Sequence, residues 1–366
     1  MSSPGPTRRR VLLGAAGVLA GTAGCLRAPS GGRARTRTPT DRRPTGTPIE
    51  PPTATEARYA EVYQATIDAV AMVRSYGQTG PIGQGSGFVY DGSYLLTNEH
   101  VVRGATEVEL QFRDNEWTEG AIVGTDAHSD LAVIEAEALP SEATPLAPAE
   151  TRATVGQEVM ALGNPFGLEE SVSQGIVSGT NRSLPSGTGF RIPATIQTDA
   201  SVNPGNSGGP LLTMRGRFLG VITARTGQDI GFAVSWRLVE RVAPSLIEAG
   251  SYEHSFLGVQ LQQVDPGVAE ANALEEAIGV IVVEVVPDGP ADGLLEGGTT
   301  ALTDRGRQVP VGGDVIVALD GTAIETSEAL STHLALHTSP GDDLEVTILR
   351  DGRQETVTVE IGTRPD

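Results

Sequence analysis

Between residues 83 and 223 the apolar side chains come in short runs, each closed by Gly, Asn, Asp or Pro. Runs at 87–90, 94–96, 108–112, 131–134, 158–162, 176–178, 194–197 and 218–223 suit strands and are too short for buried helices. This spacing argues for antiparallel barrels and against alternating strand–helix units. The segment Gly83-Gln-Gly-Ser-Gly-Phe88 has only a superficial likeness to a dinucleotide-binding fingerprint. Phe88 stands where the third glycine is needed, and a strand follows where a helix should begin.

Within this region the chain reads Asp199-Ala-Ser-Val-Asn-Pro-Gly-Asn-Ser-Gly-Gly-Pro210. Glycines on both sides of Ser207 let the backbone take positive φ and let a substrate approach the main chain. An acyl-transfer nucleophile needs this, because nearby N–H groups must face the developing oxyanion. A Gly-rich turn with a serine is also an ordinary turn, so the reading depends on a base and an acid elsewhere. Tyr94–Val102 reads as an apolar strand with His100 at its end, and Asp130 opens the run Leu131-Ala-Val-Ile134. The order is His100, Asp130, Ser207, the order of chymotrypsin-type β-barrel proteases.

Three blocks carry a family resemblance: Thr97-Asn98-Glu99-His100-Val101-Val102, Ser129-Asp130-Leu131-Ala132-Val133-Ile134 and Gly205-Asn206-Ser207-Gly208-Gly209-Pro210. Together they resemble the catalytic blocks of HtrA/DegP serine proteases, and the likeness runs from about Tyr59 to the C-terminus. It implies a mostly β chain, a chymotrypsin-like double β-barrel followed by a single α+β PDZ domain. It implies Ser207 as nucleophile, His100 as base and Asp130 as its orienting acid. Gly205, Asn206 and Ser207 would form the oxyanion hole, in a loop that the family often holds collapsed at rest; Asn203-Pro204 would set that equilibrium. Ile230, Gly231 and Phe232 resemble the specificity loop and would accept small aliphatic P1 residues, with Asp229 adjacent. Phe256-Leu257-Gly258-Val259 resembles the loop that grips a peptide's terminal carboxylate, and the peptide would add as a strand beside it. Homotrimers and quality control of misfolded proteins are likewise implied; the family's trimer contact uses aromatic residues near this end, but Tyr59 and Tyr63 match no fixed motif of it and read as core or packing residues. No cofactor and no metal are expected.

Residues 1–25 read as a targeting segment, with the twin-arginine pattern Thr7-Arg8-Arg9-Arg10 and a short apolar run. It ends at Thr22-Ala23-Gly24-Cys25, which looks like a lipobox with Cys25 as the lipidated residue. The expectation is export and a lipid anchor on the outer face of the cytoplasmic membrane; a signal anchor with a free thiol is the alternative. Cys25 is the only cysteine, so no intramolecular disulfide is possible. Residues 26–56, rich in Pro, Thr and Arg, read as a disordered tether. Residues 57–250 are assigned to the protease domain, which opens on a short helix and closes on a helix at 236–249 that Pro244 should kink or split. Residues 255–362 are assigned to one PDZ domain, with strands at 279–286, 313–319, 343–349 and 355–361 and a groove helix at 327–336. Residues 297–311 read as an inserted polar loop, and a second PDZ domain is not expected.

Charge separates the two ends. Residues 1–58 hold 10 Arg and 3 acids, and the rest holds 16 Arg and 43 acids. So acidic a body argues against nucleic-acid binding. All 26 basic residues are Arg. An acidic, Lys-free surface suits molar salt, where the Debye length is about 3 Å and self-repulsion is screened. The expectation is a haloarchaeal-like lipoprotein form of the family; codon bias toward Arg is the plainer explanation.

Other readings compete. Gly205-Asn206-Ser207-Gly208-Gly209 also satisfies the elbow pattern of α/β-hydrolases, but Pro210 and a strand-like run oppose the required helix. His128 lies two residues before Asp130 and competes as base, from a poor position. His333 and His337 have metal-compatible spacing, with a solvated helix face as the expected reading. Asp199 is expected to brace the serine loop. A PDZ-based peptide-binding chaperone or scaffold with little protease activity is the non-enzyme alternative.

Overall fold

The computed structural model describes residues 54–164, 171–203, 205–225, 230–302 and 306–365. The twin-arginine pattern, Cys25, Pro204 and Asp229 lie outside the described residues. Helix α1 (Ala54–Thr66) begins inside the stretch expected to be tether. It leads through a short 3-10 turn into β1 (Val70–Gly77). Then come β2 (Gly80–Asp91), β3 (Tyr94–Thr97), the one-turn helix α2 (Glu99–Val102), β4 (Glu107–Gln111), β5 (Trp117–Asp126) and β6 (Leu131–Ala136). These six strands close a barrel in the order β1-β2-β3-β6-β5-β4.

A second barrel follows, from β7 (Glu158–Gly163), β8 (Ser171–Pro185), β9 (Arg191–Thr198), β10 (Pro210–Thr213), β11 (Phe218–Arg225) and β12 (Gly231–Ser235). Its order is β10-β11-β12-β9-β8-β7. The period-two pattern of β7 shows how the barrels meet. Val159 and Ala161 join the small core that includes Ile196, Leu211 and Ile222. Met160 and Leu162 face the other way, into the larger core shared with Phe88, Leu110 and Phe218. The serine loop, between β9 and β10, therefore lies where both barrels can reach it.

Helix α3 (Trp236–Ala249) covers the first barrel with Leu238, Val239, Val242, Ala243 and Leu246, all buried. Its backbone comes so close to β5 that a Cβ at Gly124 would collide with the Leu246 carbonyl. Pro244 does not split the helix as its sequence position suggests. It lies on the exposed side, where water can take the carbonyl that the missing N–H leaves free. Gly250 closes the helix at φ +79, donating its N–H to the Leu246 carbonyl.

The C-terminal domain holds β13 (Ser255–Phe256), β14 (Val259–Gln263), α4 (Pro266–Ala271), β15 (Val280–Val285), β16 (Thr299–Leu302), β17 (Gln308–Val311), β18 (Val315–Leu319), β19 (Thr322–Ala323), α5 (Ser327–His337), β20 (Asp343–Arg350), β21 (Arg353–Glu360) and β22 (Gly362–Thr363). The main sheet runs β14-β15-β18-β20-β21, so β14 is an edge strand with only β15 beside it. Helix α5 packs on one face of this sheet through Leu330 and Leu334, which share a core with Val280 and Val282.

The expected loop at 297–311 is in part a hairpin, β16 against β17. Its Val309 packs with Ile281, on the opposite face of β15 from Val280 and Val282. The insertion thus sits across the sheet from α5. The segment that connects the two domains is tied to the first barrel by a buried pair: His254 Nε2 lies 2.7 Å from Asp126 Oδ2, with side chains 3% and 4% exposed. Burial pushes the Asp126 carboxyl up, but His254, Ser129 and the His128 N–H outweigh this and hold it below its usual range.

Candidate active site

His100 does not end a strand; β3 stops at Thr97, and the histidine lies in the single turn of α2. That turn aims both its N–H and its ring at one carboxylate. His100 N donates to Asp130 Oδ1 at 3.1 Å, and Nδ1 lies 2.9 Å from each carboxylate oxygen. Asp130 sits in the turn between β5 and β6 at φ +55, a left-handed conformation that Asp tolerates better than most residues. Asn98 Nδ2 holds its carbonyl at 2.9 Å. Asp130 is 8% exposed, so its remaining acceptor capacity must be met by protein.

Thr223, near the end of β11, supplies that partner: its hydroxyl donates to Asp130 Oδ2. Its carbonyl oxygen accepts from Ser207 Oγ at 3.3 Å. His100, Asp130 and Ser207 are thus brought together, with Thr223 between the acid and the serine. Among the described residues no hydrogen bond joins Ser207 to His100. A cavity of about 250 Å³ opens here, with His100, Asp130, Thr223, Leu184 and Ile192 in its wall.

The serine loop is built by positive-φ glycines, Gly205 at +96 and Gly208 at +87. A Cβ at Gly208 would collide with the Ser86 carbonyl and the Thr97 hydroxyl, so the site requires glycine on steric grounds as well. The N–H groups of Asn206, Gly208 and Gly209 donate to Asn203, Ile222 and Asn206 carbonyls. Those of Gly205 and Ser207 have no partner among the described residues. Asn206 therefore differs from its expected place in the donor set: its N–H is used and its side chain is fully buried.

Ser86 staples the loop to the first barrel. Its N–H donates to the Ser207 carbonyl at 2.7 Å, its hydroxyl donates to the Gly205 carbonyl at 2.6 Å, and Asn164 N–H donates back to that hydroxyl at 2.9 Å. Neither Ser86 nor Thr223 was singled out by sequence. Ser86 is hidden in a Gly-rich run, and Thr223 ends an apolar one.

Ile230 is 38% exposed just before β12, Gly231 is buried, and Phe232 packs partly against the large core. His128 turns away from the carboxylate, with Nδ1 3.1 Å from the Thr188 hydroxyl and its ring against His254 and Phe190. Asp199 accepts the Ile176 N–H at 2.6 Å and so braces β8. His333 is not on a solvated face: it is 7% exposed and lies 3.5 Å from Asp320, while His337 is exposed. The serine is followed by strand β10, not by the helix of a hydrolase elbow. In the C-terminal domain Leu257 is buried and Gly258 takes φ +78 against Pro290, leading into Val259 at the start of β14. Phe256 is half-buried and pairs with β22. Gln263, at the end of β14, accepts the Ser327 N–H at 2.9 Å, which fixes α5 beside the strand.

This geometry agrees with comparisons to known proteins. Residues 85–221 match the trypsin-like peptidase domain family, and residues 255–361 match the PDZ domain family. The chain is 37% identical over 290 residues to a probable periplasmic serine endoprotease, DegP-like, of Halomonas elongata, covering 77% of this chain and 57% of that protein. It is 38% identical over 288 residues to the similarly named protein of Pseudomonas fulva, covering 77% and 56%. The chain therefore spans little more than half the length of these curated relatives. Among solved structures, the HtrA-type protease AlgW with tripeptide matches with a TM-score of 0.67 and 33% identity over 84% of this chain and 98% of that one. A serine endoprotease from Yersinia pestis matches with a TM-score of 0.61 and 27% identity, over 86% and 100%. With a trypsin-like peptidase domain followed by a PDZ domain, and with an HtrA-type protease matched over nearly its whole length, the chain belongs to the HtrA/DegP family of serine proteases.

Proposed function

We propose that this chain is a serine endopeptidase that cleaves unfolded or misfolded proteins outside the cytoplasmic membrane. The observation that carries this reading is the shared carboxylate. Asp130 takes the His100 ring and N–H on one side and Thr223 on the other, and Thr223 in turn holds the Ser207 hydroxyl. In this reading a rotation about the Ser207 Cα–Cβ bond exchanges the Thr223 carbonyl for the free ring nitrogen of His100. Ser207 Oγ then attacks the scissile carbonyl as His100 takes its proton, and His100 later gives that proton to the leaving amine. Asp130 keeps the ring in the correct tautomer and stabilises its charged form. The unpartnered N–H groups of Gly205 and Ser207 are the oxyanion donors.

Substrate features follow from the same residues. Ile230 and Phe232 favour small aliphatic P1 side chains. The free edge of β14, beside α5, takes a C-terminal peptide as an added strand. Homotrimers are part of the proposal, on family resemblance alone.

Fluorophosphonate labelling of the full chain, with the modified residue assigned by mass spectrometry, tests the central claim. Label on Ser207 is expected; label elsewhere, or none under conditions where the chain is folded, rejects it.

The periplasmic relatives support export, and the sequence around Cys25 supports a lipid anchor. A two-chain lipid is the stable form of such a tether, since one acyl chain binds only marginally. Cys25→Ser should release the protein from membranes, and unchanged fractionation would reject the anchor. The acidic, Lys-free body supports folding in concentrated salt. Near-UV CD that is intact in dilute buffer would contradict that.

A further inference from the structure

Strand β12 ends at Ser235, α3 starts at Trp236, and α5 of the second domain lies beside them. Between these elements is a cavity of about 130 Å³, with Arg152, Ser235, Trp236, Arg237, Thr332 and His337 in its wall. Three polar atoms there, Ser235 Oγ, Trp236 Nε1 and Thr332 Oγ1, are buried without a hydrogen-bond partner among the described residues. The indole N–H can only donate, and both hydroxyls can donate. Thr332 is 8% exposed, so solvent at the surface does not serve it. Orphaned groups of this kind are uncommon in folded proteins, and three around one cavity call for a shared acceptor.

Charge points the same way. Ser235 occupies the N-cap position of the 14-residue α3 but makes no capping bond. The positive end of the helix therefore faces the cleft uncapped by that side chain. Arg152 and Arg237 make no ion pair among the described residues. Burial, and then Arg152, lower the Arg237 pKa, while Glu240 opposes this. Burial, and then His333, Arg237, Arg152 and Arg241, hold His337 below its ordinary value. Cations are thus crowded together in a chain of net charge −20. Water would satisfy the hydroxyls but would leave that repulsion in place.

We propose that this cleft binds a small phosphate-class oxyanion, which clamps α5 onto the second barrel. Two guanidinium groups and donors from β12, α3 and α5 surround the space, which suits an ion that accepts hydrogen bonds on every side. The volume is several times a water's share of about 30 Å³. The link to catalysis is direct in the chain, since Ser235 ends the strand that begins at Gly231.

Calorimetric titration of the full chain with inorganic phosphate, at fixed high ionic strength, is the test. Acetate and phosphatidylglycerol vesicles serve as separate arms. Saturable binding of phosphate at one site is expected, weakened about tenfold or more in Arg237→Gln and in Arg152→Gln. Arg152 is exposed, so its replacement should leave folding intact by CD. The proposal is overturned by heats that do not saturate, by unchanged affinity in both variants, by acetate binding as well as phosphate, or by binding to vesicles alone. This titration reads ion binding and not peptide cleavage, so its outcome is independent of the protease reading.

Discussion

Ser207→Ala should lower kcat on unfolded casein by a factor of about a million, with little change in KM. The substitution removes one oxygen whose only hydrogen bond among the described residues is to the Thr223 carbonyl. It leaves the glycines, the Ser86 staple and both unpartnered N–H groups in place. Substrate can therefore still bind, and only the bond-forming atom is lost. The residual rate is set by the oxyanion donors and by binding, worth about a thousandfold or more over water. The assay belongs in concentrated salt, where this acidic body is screened. It also separates the enzyme from the scaffold: if wild type and variant both keep misfolded protein soluble and neither cleaves it, the protease reading fails.

The mostly β fold was legible because barrel strands leave short apolar runs with turn residues between them. Strand β5 escaped that reading for a physical reason. Its residues are mostly exposed or half-buried, so Trp117–Asp126 mixes polar side chains with one short apolar stretch, Ala121-Ile122-Val123. The β16–β17 hairpin escaped because each strand has only four residues, and Thr299, Thr300 and Gln308 interrupt the apolar pattern. At the candidate site, His100, Asp130 and Ser207 each sit in a local motif. Thr223 and Ser86 act through partners 93 and 119 positions away, which no local pattern reports. The same limit hid the cleft at Ser235 and Thr332, since its walls come from both domains. The burial of His333 is not legible locally either, because helical spacing shows which residues share a face, and not what that face packs against.

Asp130→Asn should lower kcat by about ten thousandfold while leaving the fold intact. Asn tolerates the left-handed backbone at φ +55 as Asp does, so the turn should keep its shape. The groups around the carboxylate then decide the outcome. His100 N–H donates to Oδ1, Thr223 donates to Oδ2, and Nδ1 is 2.9 Å from both. An amide nitrogen at the Oδ1 position would meet the His100 N–H, donor against donor, so it must take the Oδ2 position. There the threonine can reverse and accept, but the imidazole also faces an NH₂ group. The ring is then biased toward the tautomer with its proton on the far nitrogen, which cannot accept a proton from Ser207. The negative charge that stabilised the imidazolium is lost as well. Thr223→Val is the milder companion, because it leaves the charge and both His100 contacts. One hydrogen bond to a charged group is worth about 1.5–3 kcal/mol, so a loss of roughly 10- to 100-fold is expected there. Steady-state kinetics placing Asp130→Asn within tenfold of wild type, with CD unchanged, would remove the acid from the mechanism and leave His100 without the partner that makes it a base.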